Sequence, residues 1–217
     1  MTLSQIVQNA EPVFQKGIGT LKGIKGTLEL KEDTSSKFFK TRPVPYAIRP
    51  KVEAELDHLE KTGILTKIEQ SEWATPIVPV IKKGKTGDVR ICGDFKVTIN
   101  PALHAVQYPL PRIEDIFASL SSGEHFSKID LAKTYLQMEM DEQSKKFLTI
   151  NIHKGLYQYN HLVFGIASAP ALWQRAMDQV LQGIPGTQCY LDDNIVTGKD
   201  DADHLQNLQN LCADSTV

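Results

Sequence analysis

The stretch Tyr190-Leu191-Asp192-Asp193 places two adjacent carboxylates between two apolar, β-forming runs, Gln188-Cys189-Tyr190 before it and Ile195-Val196-Thr197 after it. This pattern predicts two strands joined by a tight turn that carries the aspartates. Carboxylates so close together repel each other, and a fold tolerates them where a divalent cation lies between them. A plain hairpin turn is the alternative interpretation, because aspartate favours turns whether or not it has a function.

A third carboxylate, Asp130, ends another strand-like run, Phe126-Ser127-Lys128-Ile129. Three carboxylates gathered by two neighbouring strands suit a pair of Mg²⁺ ions, because Mg²⁺ prefers oxygen ligands. Such a pair of ions holds the attacking and leaving oxygens of a phosphoryl transfer, and polymerases are among the enzymes that use it. The sequence therefore points to phosphoryl-transfer chemistry.

Two further blocks surround these carboxylates. Residues 80–95 read as two strands around a basic turn with glycines, which supplies cations where phosphate groups could be held. The segment 164–170 leads into a helix with an apolar stripe, for which Ser168 is a suitable N-cap and Gly183 a suitable stop. The stripe consists of Leu172, Trp173, Ala176, Met177, Val180 and Leu181.

The order of these blocks resembles the reverse transcriptase of gypsy-type long-terminal-repeat retrotransposons and of retroviruses. Further matching blocks are Trp73-Ala74-Thr75-Pro76, Arg90-Ile91-Cys92-Gly93-Asp94-Phe95-Lys96 and Tyr108-Pro109-Leu110-Pro111. The resemblance covers about residues 40 to 205. It implies an RNA-directed DNA polymerase, a nucleotidyltransferase that adds dNTPs to a primer 3′ end by a two-metal mechanism. It also implies a parent pol polyprotein that carries ribonuclease H.

The resemblance assigns roles to individual residues. Asp130, Asp192 and Asp193 are the expected catalytic carboxylates, and Leu131 joins them in the expected site for two Mg²⁺ ions, for which Mn²⁺ can substitute. An RNA or DNA template with its primer, the dNTPs, other parts of the polyprotein and a dimer partner are the expected partners.

Four more residues are expected to bind substrate. Lys83 and Arg90 match the cations that grip the triphosphate, since arginine suits bidentate phosphate contacts and lysine acts as a point charge. Tyr135 matches the aromatic gate beneath the incoming sugar, which would exclude a 2′-hydroxyl; a core tyrosine is the alternative. Phe164 matches a position near the incoming nucleotide and could equally belong to the core.

The resemblance implies an α+β fold, with right-hand polymerase fingers, a ferredoxin-like palm and the thumb missing. The expected boundaries are 1–40 for an extended N-terminal lead-in, 41–104 and 138–168 for the fingers, and 105–137 and 169–217 for the palm. From the residues themselves, helices are expected from about Pro50 to Thr62, around Ile113–Leu120 and from near Asp200, with a hairpin pairing 146–152 and 156–162.

Composition permits this function without indicating it. The 217 residues carry a net charge of −2, but nine Lys or Arg residues fall within residues 16–51, opposite in sign to the acidic residues near the C-terminus. The three cysteines have no metal-ligand spacing. No apolar run has membrane-spanning length and no signal-like segment begins the chain, so an intracellular location, cytoplasmic or nuclear, without membrane contact is expected.

Two departures from the family pattern keep a second function open. Asn194 follows the aspartate pair where relatives carry an aliphatic residue, and the last helix breaks off at 212–217 without continuing the pattern. A catalytically inactive or repurposed remnant that only binds nucleic acid or a partner protein is therefore the alternative hypothesis. A metal-dependent nuclease is a weaker one, because the further carboxylates of a ribonuclease H site are not found.

Overall fold

The computed structural model describes residues 2–15, 17–82 and 87–213. The chain forms two compact units: the first comprises Met1–Ile24, Val106–Gln137 and Pro170–Val217, and the second comprises Lys25–Ala105 and Met138–Ala169. Within the described residues, no helix has the length and apolar character needed to cross a membrane. The α+β class predicted from the sequence is confirmed, since each unit combines helices with its own sheet.

The first unit is built on a three-stranded antiparallel sheet in the order β4–β8–β7. Its strands are β4 (His125–Asp130), β7 (Thr187–Tyr190) and β8 (Asp193–Gly198). The helices of this unit are α1 (Leu3–Asn9), α3 (Ile113–Ser119), α5 (Ala169–Val180) and α6 (Asp201–Ala213). The apolar stripe predicted for α5 is buried and, with Val196 of β8 and Leu208 of α6, it forms the core of this unit.

The second unit contains a five-stranded sheet in the order β1–β6–β5–β2–β3. The strands are β1 (Leu65–Ile68), β2 (Thr75–Ile81), β3 (Val89–Gly93), β5 (Thr149–Ile152) and β6 (Gly155–Tyr159). All neighbours are antiparallel except β2 and β5. Helix α2 (Arg49–Lys61) buries Val52, Leu56 and Leu59, and the unit also contains the short helix α4 (Glu142–Phe147).

Short 3₁₀ helices occur in both units, at Glu11–Phe14, Tyr46–Ile48, Asn100–Ala102 and Thr134–Gln137. The last of these begins shortly after β4 ends at Asp130, and it contains Tyr135.

Two local expectations are wrong. The lead-in 1–40 is not extended at its start, because Thr2 and Gln5 form a capping box that begins α1. The backbone N–H of Gln5 donates to the Thr2 hydroxyl at 3.4 Å, and the backbone N–H of Thr2 donates to Gln5 Oε1 at 2.9 Å. The strand expected from residue 146 begins only at Thr149. Asp141 caps α4 by accepting a hydrogen bond from the Ser144 N–H at 2.6 Å, so the segment before the strand is helical.

Candidate active site

The three carboxylates predicted from the sequence lie together in the first unit. Asp130 ends β4 and Asp193 begins β8, and the two residues face each other directly across the antiparallel ladder. Asp192 stands in the two-residue turn between β7 and β8, and its carbonyl accepts a hydrogen bond of 3.1 Å from the N–H of Leu131. This bond ties the end of β4 to the turn, so both strand ends present their carboxylates at one edge of the sheet.

The charges of these carboxylates act on one another. Burial raises the pKa of Asp192 above its ordinary value, and the negative charges of Asp193 and Asp130 raise it further. Burial is the larger of these causes, and the two neighbouring carboxylates add to it. The cluster therefore concentrates negative charge on a half-buried group, which is the condition that a bound cation relieves.

One of the carboxylates is engaged by a cation of the chain itself. Lys128, two residues before Asp130 on β4, places its Nζ 2.8 Å from Asp193 Oδ2. The hydrogen bond to Asp193 is the main cause that raises the pKa of Lys128. In the parts of the chain that the structure describes, no group of three or more His, Cys, Asp or Glu side chains has the arrangement of a metal site. The three carboxylates therefore lie at neighbouring positions without the arrangement of a metal site, and Asp193 is paired with Lys128.

The turn that carries Asp192 has an unusual backbone. Leu191 has φ of +54°, in the left-handed region that non-glycine residues rarely adopt. Its N–H donates to Gln174 Oε1 at 3.0 Å, and its carbonyl accepts from the Trp173 indole N–H at 2.9 Å. The side chains of α5 therefore hold both polar backbone groups of Leu191.

The other residues that the resemblance assigned to the metal site and the sugar lie beside this turn. The Leu131 carbonyl accepts a hydrogen bond of 2.8 Å from the Thr134 hydroxyl. Tyr135 is only 7% exposed, and its ring packs edge-on against Trp173 with 6.3 Å between the ring centroids. Burial and the negative charge of Asp192 raise the pKa of the Tyr135 phenol. Tyr135 is thus a core residue within electrostatic range of Asp192, and its role as a sugar gate stays a prediction.

The remaining substrate-binding candidates belong to the second unit. Arg90 lies on β3 with its guanidinium carbon 5.9 Å from the centroid of the Phe164 ring. Phe164 is 44% exposed, so the core alternative does not hold for it. Lys83 falls outside the described residues.

Sequence reasoning missed three residues of this site. Lys128 could have been found, because alternate residues of a strand share a face and Lys128 lies two positions before Asp130. Gln174 interrupts the buried stripe of α5 with a polar side chain that is fully buried, a signal that a specific partner is needed. Trp173 belongs to the predicted apolar stripe, and nothing in the sequence indicates the acceptor of its indole N–H.

Comparisons with known proteins identify the family of the chain. Residues 81–214 match the family model described as reverse transcriptase (RNA-dependent DNA polymerase). The chain is 39% identical over 211 residues to the uncharacterized protein K02A2.6 of Caenorhabditis elegans, which covers 96% of this chain and 16% of that protein. It is 32% identical over 187 residues to the retrovirus-related Pol polyprotein from transposon opus of Drosophila melanogaster, covering 83% of this chain and 18% of the polyprotein.

The fold has a counterpart among solved structures. The foamy viral protease–reverse transcriptase in complex with an RNA/DNA hybrid superposes with a TM-score of 0.85 at 20% identity, over 98% of this chain and 28% of that one. The chain spans less than a fifth of the length of the two curated relatives. The predicted resemblance and the fingers–palm fold that it implied are confirmed. The family model matches well over half of the residues, and the chain belongs to the reverse transcriptase family, whose members are RNA-directed DNA polymerases.

Proposed function

We propose that this chain is the fingers–palm part of an RNA-directed DNA polymerase that adds dNTPs to a primer 3′ end by a two-metal mechanism. The observation that carries the proposal is the direct cross-strand pairing of Asp130 with Asp193, with Asp192 in the adjoining turn. This arrangement belongs to the first unit, which we assign to the palm. The five-stranded unit corresponds to the fingers, and the boundaries expected from the sequence remain part of this proposal.

The donor set fits Mg²⁺. All three side chains offer carboxylate oxygens, the ligands that Mg²⁺ takes in proteins, and burial together with the negative charges of Asp193 and Asp130 raises the pKa of Asp192. Asp130, Asp192 and Asp193 would hold the ions, together with Leu131. Bound Mg²⁺, or Mn²⁺ in its place, supplies electrophilic stabilisation of the oxygens that attack and leave the α-phosphate. Lys128 Nζ lies 2.8 Å from Asp193 Oδ2 and would compete with an ion for that oxygen.

The residues of the second unit would act on the nucleotide. Arg90, exposed on β3, would neutralise the triphosphate together with Lys83. Phe164, with 44% of its surface accessible, would contact the incoming nucleotide, and Tyr135 would exclude a 2′-hydroxyl from beneath the sugar. These roles follow the family resemblance residue by residue.

The proposed ligand is a template strand of RNA or DNA annealed to a primer. The similar foamy viral protein has been solved in complex with an RNA/DNA hybrid, which supports the same class of ligand here. Other segments of a pol polyprotein, or a second protomer, are further proposed partners, because the curated relatives are far longer than this chain.

Primer extension tests the proposal. The purified chain is incubated with an RNA template, an annealed DNA primer, dNTPs and either Mg²⁺ or Mn²⁺, beside Asp192→Asn. Asp115→Asn, an exposed aspartate of α3 in the same unit, is the matched control. We expect extension by the wild type and by Asp115→Asn, and none by Asp192→Asn.

A lack of primer extension by the folded wild type would support the alternative hypothesis. If the wild type shows a cooperative thermal transition and retains a template–primer duplex, but extends no primer with either ion, the chain is a nucleic-acid-binding remnant. Extension that survives in Asp192→Asn would instead show that the site lies elsewhere.

A further inference from the structure

The backbone of the turn at Leu191 is not held by its own sequence. A left-handed residue costs little when it is glycine, but a leucine in this conformation is disfavoured by the clash of its Cβ with the backbone. Leu191 has φ of +54° and is only half-buried, so its side chain contributes no large compensating core. The conformation therefore depends on contacts that the turn makes with the rest of the first unit.

Gln174 supplies the contacts on one side of the turn. Its side chain is completely buried on α5. Oε1 accepts from the Leu191 N–H at 3.0 Å, and Nε2 donates to the Cys189 carbonyl at 2.9 Å. One amide thus holds the backbone on both sides of Tyr190. A buried amide that meets a donor with its oxygen and an acceptor with its nitrogen leaves neither group unpaired.

The orientation of the Gln174 amide is itself fixed. Nε2 also donates to Asp178 Oδ1 at 2.8 Å, one turn further along α5. The other oxygen of Asp178 accepts from the Tyr108 hydroxyl at 2.6 Å. Rotating the amide by 180° would set its oxygen against two acceptors and its nitrogen against the Leu191 N–H, so a single orientation is stable.

Trp173 binds the second polar backbone group of Leu191, because its indole N–H donates to the Leu191 carbonyl at 2.9 Å. The Cys189 thiol donates to the same carbonyl at 3.4 Å. Neighbouring residues of one helix, Trp173 and Gln174, therefore engage the carbonyl and the amide of Leu191. The next residue in the chain is Asp192.

We propose that Gln174, supported by Trp173, is the positioning residue that holds the Leu191 turn and thereby sets the Asp192 carboxylate against Asp130 and Asp193 for divalent-ion binding. The inference rests on the proposed function, because it assigns the ion-binding role to these carboxylates. Gln174 is not one of the proposed ion ligands, and its side chain bonds to Asp178 and to the backbone of Cys189 and Leu191. Its effect is transmitted through the backbone of residues 189–192.

The test compares Gln174→Met, which keeps the length of the side chain but removes both hydrogen-bonding groups, with Gln179→Met on the exposed face of the same helix. Two quantities are measured on the full chain: the exchange rate of the Leu191 amide proton by NMR, and Mn²⁺ affinity by titration of the free-ion EPR signal. We expect faster Leu191 exchange and a rise of about 10- to 100-fold in the Mn²⁺ dissociation constant for Gln174→Met. Gln179→Met should match the wild type in both quantities.

A rescue variant separates positioning from general damage. Adding Leu191→Gly to Gln174→Met removes the backbone penalty of the left-handed residue, so it should restore part of the lost Mn²⁺ affinity. A merely structural loss would not be recovered by a second truncation. If Gln174→Met fails to fold, Trp173→Phe removes the indole donor alone and is expected to weaken Mn²⁺ binding in the same direction.

The outcomes distinguish this inference from the proposed function. A wild-type chain that binds no Mn²⁺ contradicts the proposed site itself. A wild-type chain that binds Mn²⁺, with unchanged affinity and unchanged Leu191 exchange in Gln174→Met or in Trp173→Phe, overturns the positioning role and leaves the proposed function intact.

Discussion

Two tight hairpin turns of this chain each involve a residue with a positive φ, and the two turns stabilise that backbone conformation by different means. The turn His153–Lys154 between β5 and β6 is closed by Gly155 at φ +118°, and the turn Leu191–Asp192 between β7 and β8 uses Leu191 at φ +54°. The first turn has a glycine where the backbone requires one. The second has a leucine, held in place by buried side chains of another helix.

The two turns also differ in the contacts that they make with other elements of the protein. The β5–β6 turn contacts α2 through side chains, with a hydrogen bond of 2.8 Å between His153 and Glu53 and an ion pair of 3.6 Å between Lys154 and Asp57, and surface contacts of this kind contribute little. The β7–β8 turn is bound through its backbone by groups without solvent access. A structural turn is thus specified locally, whereas the turn beside the carboxylates depends on tertiary contacts.

Gly155→Ala should have the largest effect on stability, because it introduces a Cβ at φ +118°. The added Cβ would meet only the flexible end of Lys67 at 3.8 Å, so the penalty is a backbone one. We expect a loss of about 1–3 kcal/mol in the free energy of unfolding, measured by urea denaturation. An unchanged midpoint would show that the β5–β6 turn does not depend on its glycine.

Asn194→Leu should act in the opposite direction. Asn194 follows Asp193 on β8, is 1% exposed, and its Oδ1 has no hydrogen-bond partner among the described residues. An unsatisfied buried acceptor costs about 1–3 kcal/mol, so removing it should raise the free energy of unfolding by roughly 1 kcal/mol. Urea denaturation again provides the measurement. A clear loss of stability would mean that the amide makes a contribution that outweighs its orphaned oxygen.

The sequence predicted the elements whose signals are local. Helix α2 is observed at Arg49–Lys61 and so begins and ends one residue earlier than expected. Its signals are local, because Pro50 suits the first turn and Gly63, at φ +75°, follows the end of the helix. The β7–β8 hairpin follows from two apolar runs around a short acidic turn. The capping box of Thr2 and Gln5 was equally local and was overlooked, so the absence of α1 from the prediction reflects a missed signal.

The carboxylates of the candidate site could be predicted from the sequence, but the residues that hold their turn in place could not. Asp130, Asp192 and Asp193 can be recognised from strand ends and an ordered set of motifs. The hydrogen bond from Leu191 to Gln174 joins residues 17 apart in the chain through the packing of a helix against a hairpin, which no local pattern encodes. The same is true of the positive φ of Leu191, since leucine carries no preference for it.

Leu191→Gly alone should change stability by less than about 1 kcal/mol. Glycine removes the cost of the left-handed conformation but adds conformational entropy to the unfolded chain, and the two contributions are of similar size. The change in the urea midpoint should therefore be well below that of Gly155→Ala. A loss as large as that of Gly155→Ala would contradict the view that Leu191 is held mainly through its backbone.

The smallest effect concerns pH. The pKa of Asp192 is raised in the folded protein, so the folded state holds this proton more tightly than the unfolded state does. The stability that this group contributes is complete below the ordinary aspartate pKa of about 4, and it is lost as the pH rises through the folded pKa. Asp192→Asn should accordingly be more stable than the wild type at pH 7, with a difference that shrinks towards pH 4. Thermal unfolding at both pH values measures it, and a difference that grows on acidification would contradict the sign.

We propose that Asp130, Asp192 and Asp193 act together as one divalent-ion site at the strand ends of the β4–β8–β7 sheet. Mn²⁺ titration of the wild type, Asp130→Asn and Asp192→Asn, followed by the free-ion EPR signal, tests this proposal. We expect saturable binding by the wild type and a marked loss of affinity in each variant, although Asp130 lies on β4 and Asp192 in the turn between β7 and β8. Wild-type affinity retained in both variants would contradict it.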